Sequence, residues 1–277
     1  KIIDKRFLFY GLKNLMSTLR KKTEGHGVTM THIKRSDFLS IPLGLPPLEE
    51  QKRISEILNK AEELKKLREE ADRKTEELIP AIFHEMVGSY IREGEELPTG
   101  WKWVKLGEIT NNHDSQRIPI KASDRKNKSG QIPYYGASGV IDWVDDYIFD
   151  GEYLLIGEDG ANLVARSTPL AFRATGKFWV NNHAHILTAK ETAKNIYIEY
   201  VINQMNIERF VTGAAQPKLN QKNLNRIPIP LPPLEEQKRI AERIIQIENS
   251  INSQKESISK LQELQSLLLQ KAFRGEL

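Results

Sequence analysis

"LPPLEEQKRI" stands at Leu45–Ile54 and again, letter for letter, at Leu231–Ile240, 186 positions later. Sliding the chain by that interval extends the match on both sides without a gap. Upstream, Ile33, Phe38, Ile41 and Leu43 fall on Leu219, Leu224, Ile227 and Ile229. Downstream, Ile54, Leu58 and Ala61 fall on Ile240, Ile244 and Ile247. A shared decapeptide with matched flanks marks an internal duplication. Two copies are too few for a solenoid, so the expectation is a pseudo-symmetric pair.

Each copy follows one grammar. A short strand-like piece ("IPLGLP", "IPIPLP") ends in Pro-Pro. Proline cannot continue a ladder, and it pre-sets the first turn of a helix. Leu-Glu-Glu then opens a helix with both acids where the dipole favours them. In the second copy Ile240, Ile244, Ile247, Ile251, Gln254, Ile258, Leu261, Gln265, Leu268 and Ala272 step by four and three, a heptad seam. In the first copy the corresponding seam is noisier: Ile57, Ala61, Leu64, Arg68, Ala71, Thr75, Leu78 and Ile82. Pro80 is expected to kink or interrupt that helix. Helices of roughly 40–45 residues reach about 60–68 Å. Neither buries its stripe alone, so the simplest arrangement pairs them antiparallel as a rigid spacer; the alternative packs each on a neighbouring protein.

"GEELPTGWKWVKLGEI" (Gly94–Ile109) leaves the first helix through Gly and Pro. Short apolar runs follow ("WVKLGEI", "YLLIGE", "LVAR", "FWVNNHAHIL"), punctuated by Gly, Pro, Asp and Asn, and they read as strands. Glu191–Val211 reads as a helix, with Ile196, Tyr200, Val201 and Met205 at helical spacing. The fold class expected is α+β: a domain of mixed short strands and helices, plus two long helices forming an antiparallel coiled-coil spacer. The organisation expected is a C-terminal remnant of a first such domain at 1–40, a first spacer helix at 41–93, a complete domain at 94–226 and a second spacer helix at 227–277. "DKRFLFYGLKNLMSTL" (Asp4–Leu19) is the counterpart of the complete domain's last helix. An intact duplicate needs roughly 100 more residues upstream. The chain therefore reads as the C-terminal portion of a longer duplicated protein, or as a naturally shortened version.

Composition narrows the class. The 277 residues are 28% charged and 39% hydrophobic, with mean hydropathy −0.50, and no apolar run approaches the roughly 18–20 residues of a membrane span. There is no cysteine, which excludes disulfides and thiolate metal sites and suits a reducing cytoplasm. Net charge is +4, weak evidence by itself for an anionic partner. It is unevenly spread: Lys1–Lys22 holds seven bases and one acid, Ile141–Gly160 seven acids and no base, Ala161–Lys190 four bases and no acid. The blocks suggest one basic and one acidic face, or a chance mosaic on a solvated surface.

Catalytic signatures are missing. No [Asn/Asp]-Pro-Pro-aromatic motif supports amino-methyltransferase chemistry, and no phosphate loop binds ATP in the usual way. "GHG" (Gly25–Gly27) and "GEDG" (Gly157–Gly160) are too short for nucleotide loops, and Glu158 and Asp159 read as hairpin-turn residues rather than metal ligands. For His183 and His185, a buried or groove-facing role for one of the two is expected rather than a two-His metal site.

Taken together, the doubled "IPxxLPPLEEQKRI", "LPTGWKWVKLGEI", "YLLIGEDGAN", "FWVNNHAHIL" and the ending "LLLQKAFRGEL" resemble the DNA-specificity subunits of type I restriction-modification systems, over essentially the whole chain. The resemblance implies a non-catalytic subunit. In that family two target-recognition domains each read half of a split site in double-stranded DNA, and two long helices hold them apart and recruit methyltransferase (modification) subunits. It implies a restriction translocase subunit as a further partner, with S-adenosylmethionine, ATP and Mg expected only on partner subunits and no cofactor or metal here. Only the tail of one recognition domain is present, so self-pairing is expected if the chain is naturally shortened. The competing classes are a coiled-coil scaffold that binds protein alone, and an independent nuclease or methyltransferase.

Four clusters are candidates for DNA contact. In Arg117–Gly139, Arg117, Lys121, Arg125, Lys126 and Lys128 suit phosphates, while Tyr134, Tyr135 and Ser138 in a Gly-rich loop suit base edges; the alternative is a solvated lysine loop with core tyrosines. Asn162 and Arg166 follow the "GEDG" turn. Asn181 and Asn182 could read adenine and His183 could donate, unless the asparagines merely cap a turn. Gln216, Lys218 and Asn220 lie in a loop whose first-copy counterpart carries His32, Lys34 and Arg35.

Overall fold

A computed structural model describes residues 3–16, 19–20, 33–92, 94–213 and 215–276. His32 and the "GHG" stretch lie outside the described residues. The elements in chain order are α1 (Lys5–Asn14), α2 (Arg35–Leu39), α3 (Leu48–Val87), β1 (Lys102–Lys105), α4 (Leu106–Ile109), β2 (Thr110–Asn112), α5 (Ala122–Arg125), β3 (Ser129–Gly136), β4 (Gly139–Val144), β5 (Phe149–Gly157), α6 (Asn162–Ala165), β6 (Ala171–Val180), β7 (Ala184–Ala189), α7 (Asn195–Gln204), α8 (Gln221–Leu224), β8 (Pro228–Leu231) and α9 (Leu234–Arg274). They form two compact units, Lys1–Glu77 with Asn249–Leu277, and Leu78–Glu248.

In the first unit, α1 packs on the start of α3 and the end of α9. Asp4 caps α1 by accepting from the Phe7 N–H at 2.9 Å. Phe7 and Tyr10 are buried against Ile54, Leu58 and Ala272, and Phe7 meets Phe273 with ring centroids 4.9 Å apart. The start of one long helix thus meets the end of the other, an antiparallel pairing. Along α9 the seam is as read: Ile251, Gln254, Ile258, Leu261, Gln265, Leu268 and Ala272 are all at least partly buried, and of their flanks only Leu269 and Phe273 near the end are partly buried too. Along α3 the reading holds at Ile57, Ala61, Arg68, Thr75 and Ile82, which are partly buried, and slips by one residue at the positions between them. Leu64, Ala71 and Leu78 are exposed, and Lys65, Asp72 and Ile79 occupy the inner face instead. Arg68 Nε and Asp72 Oδ1, one turn apart and 3.2 Å from each other, form an ion pair inside, yet Arg68 Nε and both Asp72 oxygens are buried there without a hydrogen bond. The helix also runs unbroken through Pro80, which is exposed, so water can serve the carbonyl its missing N–H leaves free.

In the second unit, β1 and β8 pair antiparallel, Lys102 opposite Leu231. The strand-like piece before the second Pro-Pro therefore closes onto the strand that opens the domain. Its first-copy counterpart at 41–46 forms no strand among the described residues. A six-stranded sheet runs β2-β7-β5-β6-β3-β4, antiparallel except where β3 meets β6. Its core gathers Phe149, Leu155, Phe178, Val180 and Ile186. Several local readings change. "LVAR" is the helical turn α6 with Arg166 in the left-handed region, and "WVKLGEI" is a strand followed by a helical turn. "FWVNNHAHIL" splits into β6 and β7 around Asn181–His183. The helix read over Glu191–Val211 contracts to α7, because Met205 turns extended and ends it.

Candidate nucleic-acid interface

At one end of the sheet, four segments distant in sequence meet around buried charges. His185, on β7, is 1% exposed; its Nδ1 lies 2.6 Å from Asp114 Oδ2 and its Nε2 2.7 Å from the Leu219 carbonyl. Arg117 Nη1 donates to Glu158 Oε2 at 2.7 Å and to the Ala184 carbonyl at 2.9 Å, and Lys218 Nζ sits 3.2 Å from Glu158 Oε1. Burial works against ionising Asp114, but donors at His185, Asn112 and the Ile186 N–H outweigh it and hold its carboxyl below the usual range. Burial likewise opposes Glu158, and Arg117, His185 and Lys218 overcome it. Asp114, Glu158 and His185 bring their ligand atoms within 4.8 Å of one another, the spacing of a metal set. Yet the guanidinium and the ammonium already answer that negative charge. The arrangement is an ionic lock that ties the Asp114–Arg117 segment, β7 and the loop before α8 together.

Around the lock runs a polar rim made of turns. The Glu158 N–H donates to the His183 carbonyl at 2.8 Å, and the Leu219 N–H to the Glu158 carbonyl at 2.8 Å. The Gly160 N–H reaches the Pro217 carbonyl at 3.0 Å. The β3–β4 turn closes in as well: a Cβ on Gly157 would stand 2.9 Å from the Ala137 carbonyl oxygen, so only glycine permits this approach. Gly213, at φ +84 and with the Gln216 carbonyl 2.5 Å from where its Cβ would be, allows the tight loop that presents Lys218. Ser138, Asn182, His183, Gln216 and Lys218 are exposed on this rim. His183 Nδ1 lies 2.9 Å from Asp159, which fixes the ring's direction. Asn181 is buried beneath, its side chain accepting from the His183 N–H, and Asn220 caps α8 by accepting from the Asn223 N–H.

The other candidates sit elsewhere. Tyr134 and Tyr135 are on β3, not in a loop. Tyr134 is fully buried and its hydroxyl accepts from the Ile120 N–H at 3.0 Å, which takes it out of reach of bases; Tyr135 packs on Phe172 and Phe178. Arg125 is held by Asp142 at 2.6 Å and lies over the Tyr134 ring. Trp179 Nε1 donates to the Ile118 carbonyl at 2.6 Å and pins the extended segment that leads to α5. Lys121, Lys126 and Lys128 around it remain exposed. Asn162 staples its own loop through Thr168 and Ser167, and Arg166 donates to the Ile202 and Met205 carbonyls, closing the end of α7. Glu158 and Asp159 do not turn a two-residue hairpin: the β5–β6 connection is long enough to hold α6. Asp114 is the participant that sequence reasoning missed, and His185, singled out there beside His183, is the buried one of that pair. Their partners come from segments too far apart for any local pattern to show them.

The sheet domain presents a polar rim of turns drawn from segments distant in sequence. A family model for the type I restriction modification DNA specificity domain matches residues 1–75 and 98–263, and the chain belongs to that family. The resemblance drawn from the sequence is borne out. A putative type I restriction enzyme specificity subunit of Haemophilus influenzae is 41% identical over 149 residues, 53% of this chain but 36% of that protein. The MjaVIII specificity subunit of Methanocaldococcus jannaschii is 27% identical over 97% of this chain and 70% of its own length. In fold, the chain is similar to the type I restriction-modification S subunit of M. genitalium (TM-score 0.66, 18% identity, 98% of this chain and 73% of that one). It is also similar to a chain of a type I R-M system studied for complex assembly and conformational transition (TM-score 0.64, 22% identity, 99% and 72%). No helix among the described residues is long and apolar enough to cross a membrane.

Proposed function

We propose that this chain is the non-catalytic subunit that gives a type I restriction-modification complex its DNA sequence specificity. The observation that carries the reading is the gathering of Ser138, Asn182, His183, Gln216 and Lys218 from three turns onto one rim of a domain whose family is defined by DNA specificity. On this reading the rim meets base edges of one half-site, and Lys121, Lys126 and Lys128 meet phosphates. Residues 94–226 are the complete reader, 1–40 the end of another, and 41–93 and 227–277 the spacer helices. The helices dock modification subunits, which carry S-adenosylmethionine chemistry, and a translocase subunit joins with ATP and Mg. The second half-site is read by a further recognition domain, supplied by chain beyond these residues or by a second copy. The absence of cysteine suits work in the cytoplasm.

Methylome sequencing of cells carrying the whole system, with and without this gene, tests the proposal. Methylation at one bipartite motif should vanish with the gene, and replacing Asn182 by Ala should change the bases of one half only. Methylation that survives deletion of the gene sinks the reading.

A further inference from the structure

Glu62 and Glu248 occupy the same place in the two copies of the repeat, 186 residues apart. Each grips the helix that precedes its copy. Glu62 Oε2 accepts from Lys13 Nζ on α1 at 3.0 Å, and also from Gln265 Nε2 at 2.5 Å. Glu248 Oε1 accepts from the Tyr200 hydroxyl on α7 at 2.9 Å and from Arg173 Nη2 on β6 at 2.5 Å. Arg173 Nε donates in turn to Glu199 on α7, at 2.5 Å. One guanidinium therefore joins the sheet, the reader's last helix and the long helix α9. The side chains of Arg173, Glu199 and Glu248 are 21%, 12% and 25% exposed, so water screens the cluster little.

Its position matters as much as its strength. The reader is tied to α9 at the first turn, where Trp101 Nε1 donates to Glu236 at 2.9 Å and Gln237 Nε2 to the Thr192 carbonyl at 3.0 Å. From Glu236 to Glu248 the helix rises about 18 Å. One attachment leaves a pivot, whereas two separated by that length fix a direction. The planar fork of arginine holds two carboxylates at set angles, which a lysine point charge does not.

We propose that Arg173, clamped between Glu199 and Glu248, is the positioning residue that sets the angle at which the reading sheet stands on α9, and so where its rim meets DNA. The part concerning DNA rests on the function proposed above; the part concerning the angle does not. Because the chain has no cysteine, spin labels can be placed at Val140→Cys on β4 and Glu242→Cys on α9 alone. Pulsed EPR on the full chain should give one narrow distance distribution, broadened in Arg173→Met and partly restored in Arg173→Lys. If Arg173→Met does not fold, Glu248→Gln keeps the Arg173–Glu199 pair and is expected to broaden the distribution too. An unchanged distribution in a folded variant overturns the proposal. In the assembled methyltransferase, Arg173→Met should keep the half-site bases and lose the preference for one spacing, spreading to neighbours a base pair (about 3.4 Å) away. Unaltered spacing, or altered bases, overturns it as well. If the wild-type assembly itself selects no DNA site, the functional reading fails and the distance result alone judges the clamp.

Discussion

Two arginine-and-lysine groups that look alike in sequence do opposite work. Arg117 is spent inside the lock, with Glu158 as its near-buried partner, whereas Lys126 and Lys128 face solvent. Replacing Arg117 by Ala leaves Glu158 with a weakened set of donors, and breaking such a pair costs about 3–5 kcal/mol. Urea unfolding should show that loss, with Lys126→Ala and Lys128→Ala near wild type. The DNA-binding salt slope should move the other way, flattening for the two lysines. Sequence spacing could not separate these roles. Arg117, Arg125 and Arg166 are legible as cations, but their acceptors (Glu158, Asp142 and the carbonyls at the end of α7) lie 41, 17 and 36–39 residues away.

At the scale of elements, the two copies of one helix differ in how much their sequences reveal. In α9 the steps of four and three run unbroken from Ile251 to Ala272 and every seam position is at least partly buried, although Leu264 and Leu267 face solvent. In α3, leucines lie on both faces: Leu58 is 1% exposed, Leu64 59%. Lys65 and Asp72 take inner positions that hydrophobicity alone would hand to Leu64 and Ala71. Truncation makes the difference measurable. Leu58→Ala should cost about 2–5 kcal/mol, while Leu64→Ala should stay within about 0.5 kcal/mol of wild type, by chemical denaturation of the free chain. The short elements were less legible still. "LVAR" has a strand's composition, but Asn162 bonds the Thr168 carbonyl and curls the segment into a turn.

For the whole molecule, pH reaches stability from two directions. Burial pushes the Glu199 carboxyl up to about 7 against the pull of Arg173, since one guanidinium faces two carboxylates. A carboxyl raised in the folded state stabilises below its usual value near 4.5, and that contribution fades as pH climbs to 7. Asp114 and Glu158, held low, contribute above the usual carboxylate range and lose it as pH falls further. Melting temperatures of Glu199→Gln between pH 4.5 and 7 should therefore decline less than wild type as pH rises; a parallel decline would place the charge elsewhere. The repeat made the broad division into long helices and one α+β domain legible, because a ten-residue identity survives any local ambiguity. It did not reveal that β8, on the far side of the reader, returns to pair with β1. That pairing sets Lys102 beside Leu231, so the chain enters and leaves the domain through one doorway. A domain joined at a single doorway is a cartridge: recombination at its two flanks can replace the contents while the frame, and whatever grips the frame, stays as it was.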